Sequence, residues 1–162
     1  MAGARDNAGV IAPPPLLALA VIVLGLLLDW LLPAYVLAVM LSWGTRIILG
    51  LELMIAGLAL MIVARRTFLA AGTNVEPWKP STTIVITGVF AWLRNPMYVG
   101  GTAALLGLAI LLASDWMVVM TVIMALTLHF GVVKREERYL EAKFGQAYRQ
   151  YMQTVLRYGL PF

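Results

Sequence analysis

Four long apolar runs constrain the fold of this chain more than any other feature. They cover residues 16–32, 34–64, 97–113 and 116–133. Each run could cross about 30 Å of hydrocarbon as a helix. Charged residues make up only 12% of the chain, about half the share found in soluble domains. The pattern therefore predicts an all-α, polytopic membrane protein with four transmembrane helices.

The second run, 34–64, is too long for a single crossing. As one helix it would measure about 46 Å. The polar residues Ser42 and Thr45 mark the favoured break, which makes 35–43 an interfacial connector and 45–64 the second span. An ionisable side chain in a span is costly and often functional.

Glu52 is such a side chain, because it falls inside the predicted second span. It is a candidate catalytic carboxylate. The alternative is a structural role near the outer membrane boundary, with Glu52 either protonated or paired with Arg46, and the sequence leaves both readings open.

Two connections between the runs differ greatly in length. Residues 65–96 form a long polar loop with room for a ligand. By contrast, only Ser114 and Asp115 separate the last two runs, which predicts a tight antiparallel hairpin.

Positive charge indicates the topology. Of the 12 Lys and Arg residues, all but Arg46 fall in the N-terminal tail 1–13, the loop 65–96 or the segment 134–162. Cytoplasmic segments collect Lys and Arg. We therefore expect a membrane domain over 14–133 with both termini in the cytoplasm, and a bacterial inner membrane as its location.

Composition excludes several kinds of chemistry. The chain has no cysteine and a single histidine, His129, so disulfides, thiolate nucleophiles and a typical metal site are not expected. The positive charges lie at predicted membrane ends, so nucleic acid is not a favoured partner.

The segment 134–162 has the pattern of an amphipathic helical region lying on the cytoplasmic face. Gly145 is expected to divide it into two helices. Its apolar stripe carries Glu136, Leu140, Phe144, Tyr148, Tyr151 and Val155. Glu136 and Glu137 either face the bundle or form a solvated cluster in which Lys134 pairs with Glu137.

A polar turn, 94–101, opens the third run. Arg94 and Asn95 supply hydrogen-bonding groups, and Pro96 suits the first turn of a helix. Gly100 leaves the backbone bare for a ligand or for a neighbouring helix, and both uses stay open. With the aromatic rings and the acidic pair, this turn could bound a cytoplasmic pocket for a small zwitterionic cofactor such as S-adenosylmethionine.

The residues 94–100, 136–140, 144–151 and 155–157 resemble the motifs of the membrane methyltransferase superfamily. This superfamily includes isoprenylcysteine carboxyl methyltransferases and phosphatidylethanolamine N-methyltransferases. The resemblance extends over about 45–160. It implies S-adenosylmethionine as methyl donor and S-adenosylhomocysteine as product.

The resemblance and the residue chemistry together give a set of predicted site residues. Cofactor contacts are predicted for Arg94, Asn95, Pro96, Tyr98, Gly100, Glu136, Glu137 and Gly57. Catalytic roles are predicted for Glu52, Glu136 and Arg94, and contacts with the substrate for Tyr148, Tyr151 and Arg65.

The acceptor is the least constrained part of the prediction. Asn95 stands where many carboxyl methyltransferases have histidine, which favours a phospholipid amine such as phosphatidylethanolamine. Carboxyl O-methylation of an isoprenylcysteine or a related lipophilic acceptor is the first alternative. A non-enzymatic membrane scaffold or small transporter is the second, and the oligomeric state is open.

Overall fold

The computed structural model describes residues 6–159, and within them it is helical with no strand. Its helices are α1 (Pro14–Leu31), α2 (Val36–Met40), α3 (Trp43–Ala70), α4 (Pro96–Leu112), α5 (Asp115–Leu128), α6 (Lys134–Phe144) and α7 (Gln146–Thr154). A 3-10 turn, Gly88–Ala91, precedes α4, and a π-helical turn, His129–Val133, joins α5 to α6. The prediction of an all-α chain is confirmed.

Three of the helices within residues 6–159 are long and apolar enough to cross a membrane. They are α1, α3 and the continuous helix Asp115–Phe144, which comprises α5, the π turn and α6. The third predicted span forms α4, an apolar helix of 17 residues. The fourth crossing and the side on which the termini lie stay predictions.

Helix α3 is longer at both ends than the predicted span 45–64. It begins at Trp43, after Ser42, whose side chain accepts a hydrogen bond from the Thr45 backbone N–H. It then continues through Arg65 and Arg66 to Ala70. Arginine has a high helix propensity, and its long side chain can extend to place its charge in water. The helix therefore continues past residue 64, where the apolar run ends.

The helices pack side by side, with α3 against α4, α4 against α5, and α5 against α1. Small residues bring α3 and α4 together. A Cβ added to Gly100 would lie 2.6 Å from the Gly57 carbonyl oxygen, and one added to Gly107 would lie 2.6 Å from that of Gly50. Gly57 and Gly100 are therefore packing glycines, as in other close membrane helix pairs.

The end of the bundle where α1 stops and α5 starts is tied by two carboxylates. Ser114 Oγ donates to Asp29, and the Trp116 backbone N–H donates to the same carboxylate at 3.3 Å. Asp115 accepts hydrogen bonds from the first backbone N–H groups of α2, Val36 at 2.9 Å and Leu37 at 3.0 Å. The tight hairpin predicted at Ser114 and Asp115 is confirmed.

Candidate functional site

The turn that precedes α4 lies against the C-terminal segment. The Arg94 backbone N–H donates to the Leu156 carbonyl oxygen at 3.0 Å. The amide of Asn95, a buried residue, donates to the Arg157 carbonyl oxygen at 3.2 Å. Two motifs about sixty residues apart in the sequence are therefore joined at one place, and the Asn95 amide nitrogen helps to hold them together.

Glu137 forms ion pairs with both arginines of this site, Arg94 and Arg157. The residue is only 8% exposed. Arg157 Nε donates to its Oε1 at 2.9 Å, and Arg157 Nη2 donates to its Oε2 at 2.7 Å. These bonds raise the pKa of the Arg157 guanidinium above its usual value. Glu137 therefore faces inward, and the expected alternative of a solvated pair with Lys134 is wrong.

Arg94 also approaches Glu137 but keeps free donors. Its side chain is 8% exposed, and Nη1 lies 3.3 Å from Glu137 Oε1, within ion-pair distance but without hydrogen-bond geometry. Neither Nε nor Nη1 has a hydrogen-bond partner in the part of the chain that the structure describes. Buried donors are usually satisfied, so this guanidinium is suited to receive an anionic group.

The other member of the acidic pair, Glu136, faces Tyr98. Tyr98 Oη donates to Glu136 Oε2 at 2.9 Å, and Glu136 is partly buried. Two rings of α7 lie nearby. Tyr151 Oη donates to the Phe90 carbonyl oxygen at 2.7 Å, and burial raises the pKa of the phenols of Tyr148 and Tyr151. Both tyrosines are therefore neutral at physiological pH.

These side chains surround a cavity of about 760 Å³, counted with its open mouth, which we call the polar cavity. The loop 74–85 forms its other wall. That loop is braced from outside by the N-terminal segment, where the Ala8 backbone N–H donates to the Pro77 carbonyl oxygen at 3.4 Å. Tyr139 Oη links the two segments, because it accepts from the Ser81 backbone N–H and donates to Asp6.

A second, larger cavity of about 1,810 Å³, again counted with its open space, lies beside the first, and we call it the apolar cavity. Side chains from α4, α5, the π turn and the segment 152–158 line it, and most of them are apolar. Arg94 and Tyr98 line both cavities. The two cavities therefore share a wall that carries an arginine and a phenol.

The structure brings together most of the predicted site residues. Those that line the polar cavity are Arg94, Asn95, Pro96, Tyr98, Glu136, Glu137, Tyr148 and Tyr151. The two glutamates have different contacts. Glu137 contacts Arg94 and Arg157, whereas Glu136 accepts a hydrogen bond from Tyr98 through Oε2 and its Oε1 is left for another partner.

Four predicted residues lie elsewhere. Glu52 is an exposed side chain of α3 that lines neither cavity, and within residues 6–159 it forms no ion pair with Arg46. Arg65 is exposed and also lies outside both linings. Gly57 and Gly100 face each other between α3 and α4. The predicted site roles of these four residues have no support in this geometry.

Three residues of the site were not predicted. His129, Arg157 and Tyr158 line the apolar cavity. Arg157 ends the fourth motif, so its sequence signal was present. Burial raises the pKa of the Tyr158 phenol to about 12. His129 is a single polar residue near the end of an apolar run, and only the structure shows what it faces.

One family model, described as phospholipid methyltransferase, matches residues 45–147, well over half of the chain. The matched region begins near the start of α3 and includes the Arg94 turn, the acidic pair and the beginning of α7. Comparisons with curated proteins and with solved structures gave no match.

Proposed function

Because the chain belongs to the phospholipid methyltransferase family, we propose that it methylates the amine of a phospholipid head group, with phosphatidylethanolamine as the first candidate. The single observation that carries this proposal is the position of Arg94. Its buried guanidinium has unpaired donors and stands on the wall shared by a polar and an apolar cavity. A small polar donor and a lipid acceptor need such neighbouring sites.

The polar cavity has the chemistry to hold S-adenosylmethionine. The free donors of Arg94 suit its carboxylate, and the carboxylate of Glu136 suits its ammonium. The rings of Tyr98 and Tyr148 offer faces for a cation. When bound, this group supplies a methyl on a positively charged sulfur.

The apolar cavity has the chemistry to hold a lipid. Its lining is mostly apolar and comes from helices expected to lie in the bilayer. Arg94 and Arg157 stand at its polar side, where a guanidinium can bind a phosphate through two hydrogen bonds. The lipid head group would then lie next to Arg94 and Tyr98, the two residues that line both cavities.

Catalysis of methyl transfer here rests on placement. Arg94 and Arg157 orient the two partners, Glu137 fixes both arginines, and the Tyr98 to Glu136 hydrogen bond holds the shared wall. Fixing two reactants in line supplies several kcal/mol by position alone. In this proposal the loop 65–96 and the segment 134–162 share the cytoplasmic face, so the donor arrives from the cytoplasm and the lipid from the bilayer.

A carboxylate acceptor is the second candidate, because two arginines at the apolar cavity also suit an anion that reacts directly. An isoprenylcysteine carboxyl group has this chemistry. The phosphate of a phospholipid would use the same arginines while its amine reacts, and Asn95 in the place of histidine favours the amine.

The test is methyl transfer by the purified protein in nanodiscs. Radiolabelled S-adenosylmethionine is supplied with phosphatidylethanolamine or with a farnesylated cysteine analogue. We expect label on the phospholipid amine, lost in Arg94→Gln and kept in Arg65→Gln, an exposed arginine outside both cavities. Label on the prenyl analogue alone would overturn the amine assignment, and no label on either would favour a non-enzymatic scaffold or transporter.

A further inference from the structure

The continuous helix Asp115–Phe144 changes its winding at one place, the π turn His129–Val133. Such turns insert an extra residue into a helix and are frequent at functional sites. Here the turn begins with His129, whose side chain lines the apolar cavity. The single histidine of the chain thus faces the cavity that would hold the lipid.

The imidazole of His129 is held by the C-terminal segment. Its Nδ1 lies 2.8 Å from Tyr158 Oη, within hydrogen-bond distance. The Phe130 ring packs edge-on against it with centroids 4.7 Å apart. Tyr158 follows Arg157, which Glu137 fixes. The ring is therefore oriented, and its Nε2 forms no hydrogen bond within residues 6–159.

No carboxylate lines the apolar cavity in the part of the chain described here. The acidic pair lines the polar cavity instead, where Glu137 contacts two arginines and Glu136 is proposed to hold the cofactor ammonium. The other groups of the lining that carry exchangeable protons are arginines, phenols and a threonine. A neutral imidazole can accept a proton.

An amine head group needs such an acceptor, because an ammonium has no lone pair with which to attack a methyl group. We propose that His129 Nε2 is the base that removes this proton, an inference that rests on the proposed amine methylation. The N–H bond breaks and its proton passes to Nε2. The freed nitrogen lone pair forms the new N–C bond while the methyl C–S bond breaks, and sulfur keeps that electron pair as a neutral thioether. Histidine then releases the proton to solvent.

Several charged groups lie near His129. Lys134 follows it on the same helix, Arg157 and Glu137 lie close enough to act on it, and Arg94 lines the same cavity. Only the neutral imidazole accepts a proton. The rate of amine methylation should therefore fall as the pH drops through the titration of His129 and level off above it.

The experiment compares wild type, His129→Gln and a matched control, Thr127→Ala, in nanodiscs. Thr127 lies on the same helix and lines neither cavity. We expect His129→Gln to lower kcat for phosphatidylethanolamine by about 10²-fold or more at pH 7. The rate of this variant should keep rising with pH towards the pKa of the head-group amine, instead of levelling off, because only amine that has already lost its proton can react. A lipid with a weakly basic head-group amine, neutral at the assay pH, should restore most of the rate. Thr127→Ala should match wild type.

A second readout does not depend on turnover. Because the chain has one histidine, its imidazole resonances can be followed by NMR without methyl donor. Phosphatidylethanolamine should shift them, whereas phosphatidylcholine, which has no N–H on its head group, should shift them much less. Equal shifts with both lipids would overturn the proposal.

The kinetic outcomes separate the base from the proposed function. If wild type methylates the amine and His129→Gln keeps both the rate and the levelling off of the pH–rate profile, the base assignment is overturned while the function stands. Equal loss of rate with the weakly basic amine would show that His129 only positions the lipid, which also overturns it. Failure of wild type to methylate any amine lipid would overturn both.

Discussion

The two ends of the helix bundle use polar side chains in opposite ways. At the closed end, which we define by Asp29, Ser114 and Asp115, the carboxylates accept hydrogen bonds from hydroxyl and backbone groups of neighbouring helices. At the open end, defined by Arg94, Glu137 and the cavities around them, a buried guanidinium keeps donors without partners. Asp29, Ser114 and Asp115 all find partners, whereas Arg94 Nε and Nη1 at the open end have no hydrogen-bond partner within residues 6–159. Arg46 Nε, in the first turn of α3, is a further buried donor of this kind.

This difference separates stability from function. A buried polar group that meets its partner stabilises a turn, whereas one left without a partner costs free energy on folding. Asp29, Ser114 and Asp115 therefore need no ligand to account for their positions. The open end bears a cost that binding of an anionic group would relieve.

The largest expected effect is on stability at the open end. Glu137→Ala leaves two arginines facing each other without their carboxylate, which should lower the free energy of unfolding by about 3 kcal/mol. Glu141→Ala is the control on the same helix, because its contact with Arg149 is 3.8 Å long and both side chains are about half exposed. That loss should be below about 0.5 kcal/mol. Equal thermal denaturation of the two variants in detergent would contradict the central role of Glu137.

Glu136→Gln should weaken cofactor binding but leave stability almost unchanged, whereas Glu137→Ala mainly lowers stability. The amide keeps the size of the side chain and an oxygen for the Tyr98 hydroxyl, but it removes the charge offered to the cofactor ammonium. Binding of S-adenosylhomocysteine should weaken by about 1.5–3 kcal/mol. The melting temperature should change little. A variant that melts earlier but binds normally would assign Glu136 to the fold alone.

The contact between α3 and α4 tests packing away from the cavities. A Cβ at Gly107 would lie 2.6 Å from the Gly50 carbonyl oxygen, so Gly107→Ala should destabilise the fold by about 1–3 kcal/mol. Gly101→Ala is the control, since its nearest neighbour would be the Met61 sulfur at 3.7 Å. If both variants melt like wild type, the helices can separate without cost and the glycine contact is not structural.

Much of the fold could be predicted from simple patterns. The lengths of the apolar runs predicted the long helices, and Ser114 and Asp115 between the last two runs predicted the hairpin. Gly145 does divide α6 from α7, with a φ of +57° that favours glycine. The resemblance to membrane methyltransferases is confirmed by the family match. These features depend on local sequence, which is why they could be predicted.

Other features depend on angles that no local pattern encodes. The bond from Arg157 to Glu137 crosses the bend at Gly145, so its formation depends on how α6 and α7 turn. Apolar length placed Glu52 in a span, but it does not tell which side of α3 meets another helix. The π turn that carries His129 has no apolar pattern of its own. Much of the site was predicted by its motifs, and the pairing within it was not.

The smallest effect is expected at the closed end. Asp115→Ala removes a side chain that caps the first backbone N–H groups of α2, which should cost about 1 kcal/mol of stability. Binding of the cofactor should not change. Weakened cofactor binding in this variant would show that the two ends are coupled, and it would contradict the assignment of a purely structural role to the closed end.

The most direct measurement is calorimetric titration of S-adenosylhomocysteine into wild type, Arg94→Lys and Arg65→Lys. Wild type should bind it saturably, one per chain. Lysine cannot reproduce the two-point grip of a guanidinium on a carboxylate, so Arg94→Lys should weaken binding by about 1.5–3 kcal/mol, whereas Arg65→Lys should match wild type. No saturable binding by wild type, or equal affinity in all three proteins, would contradict the assignment of the open end as the methyl donor site.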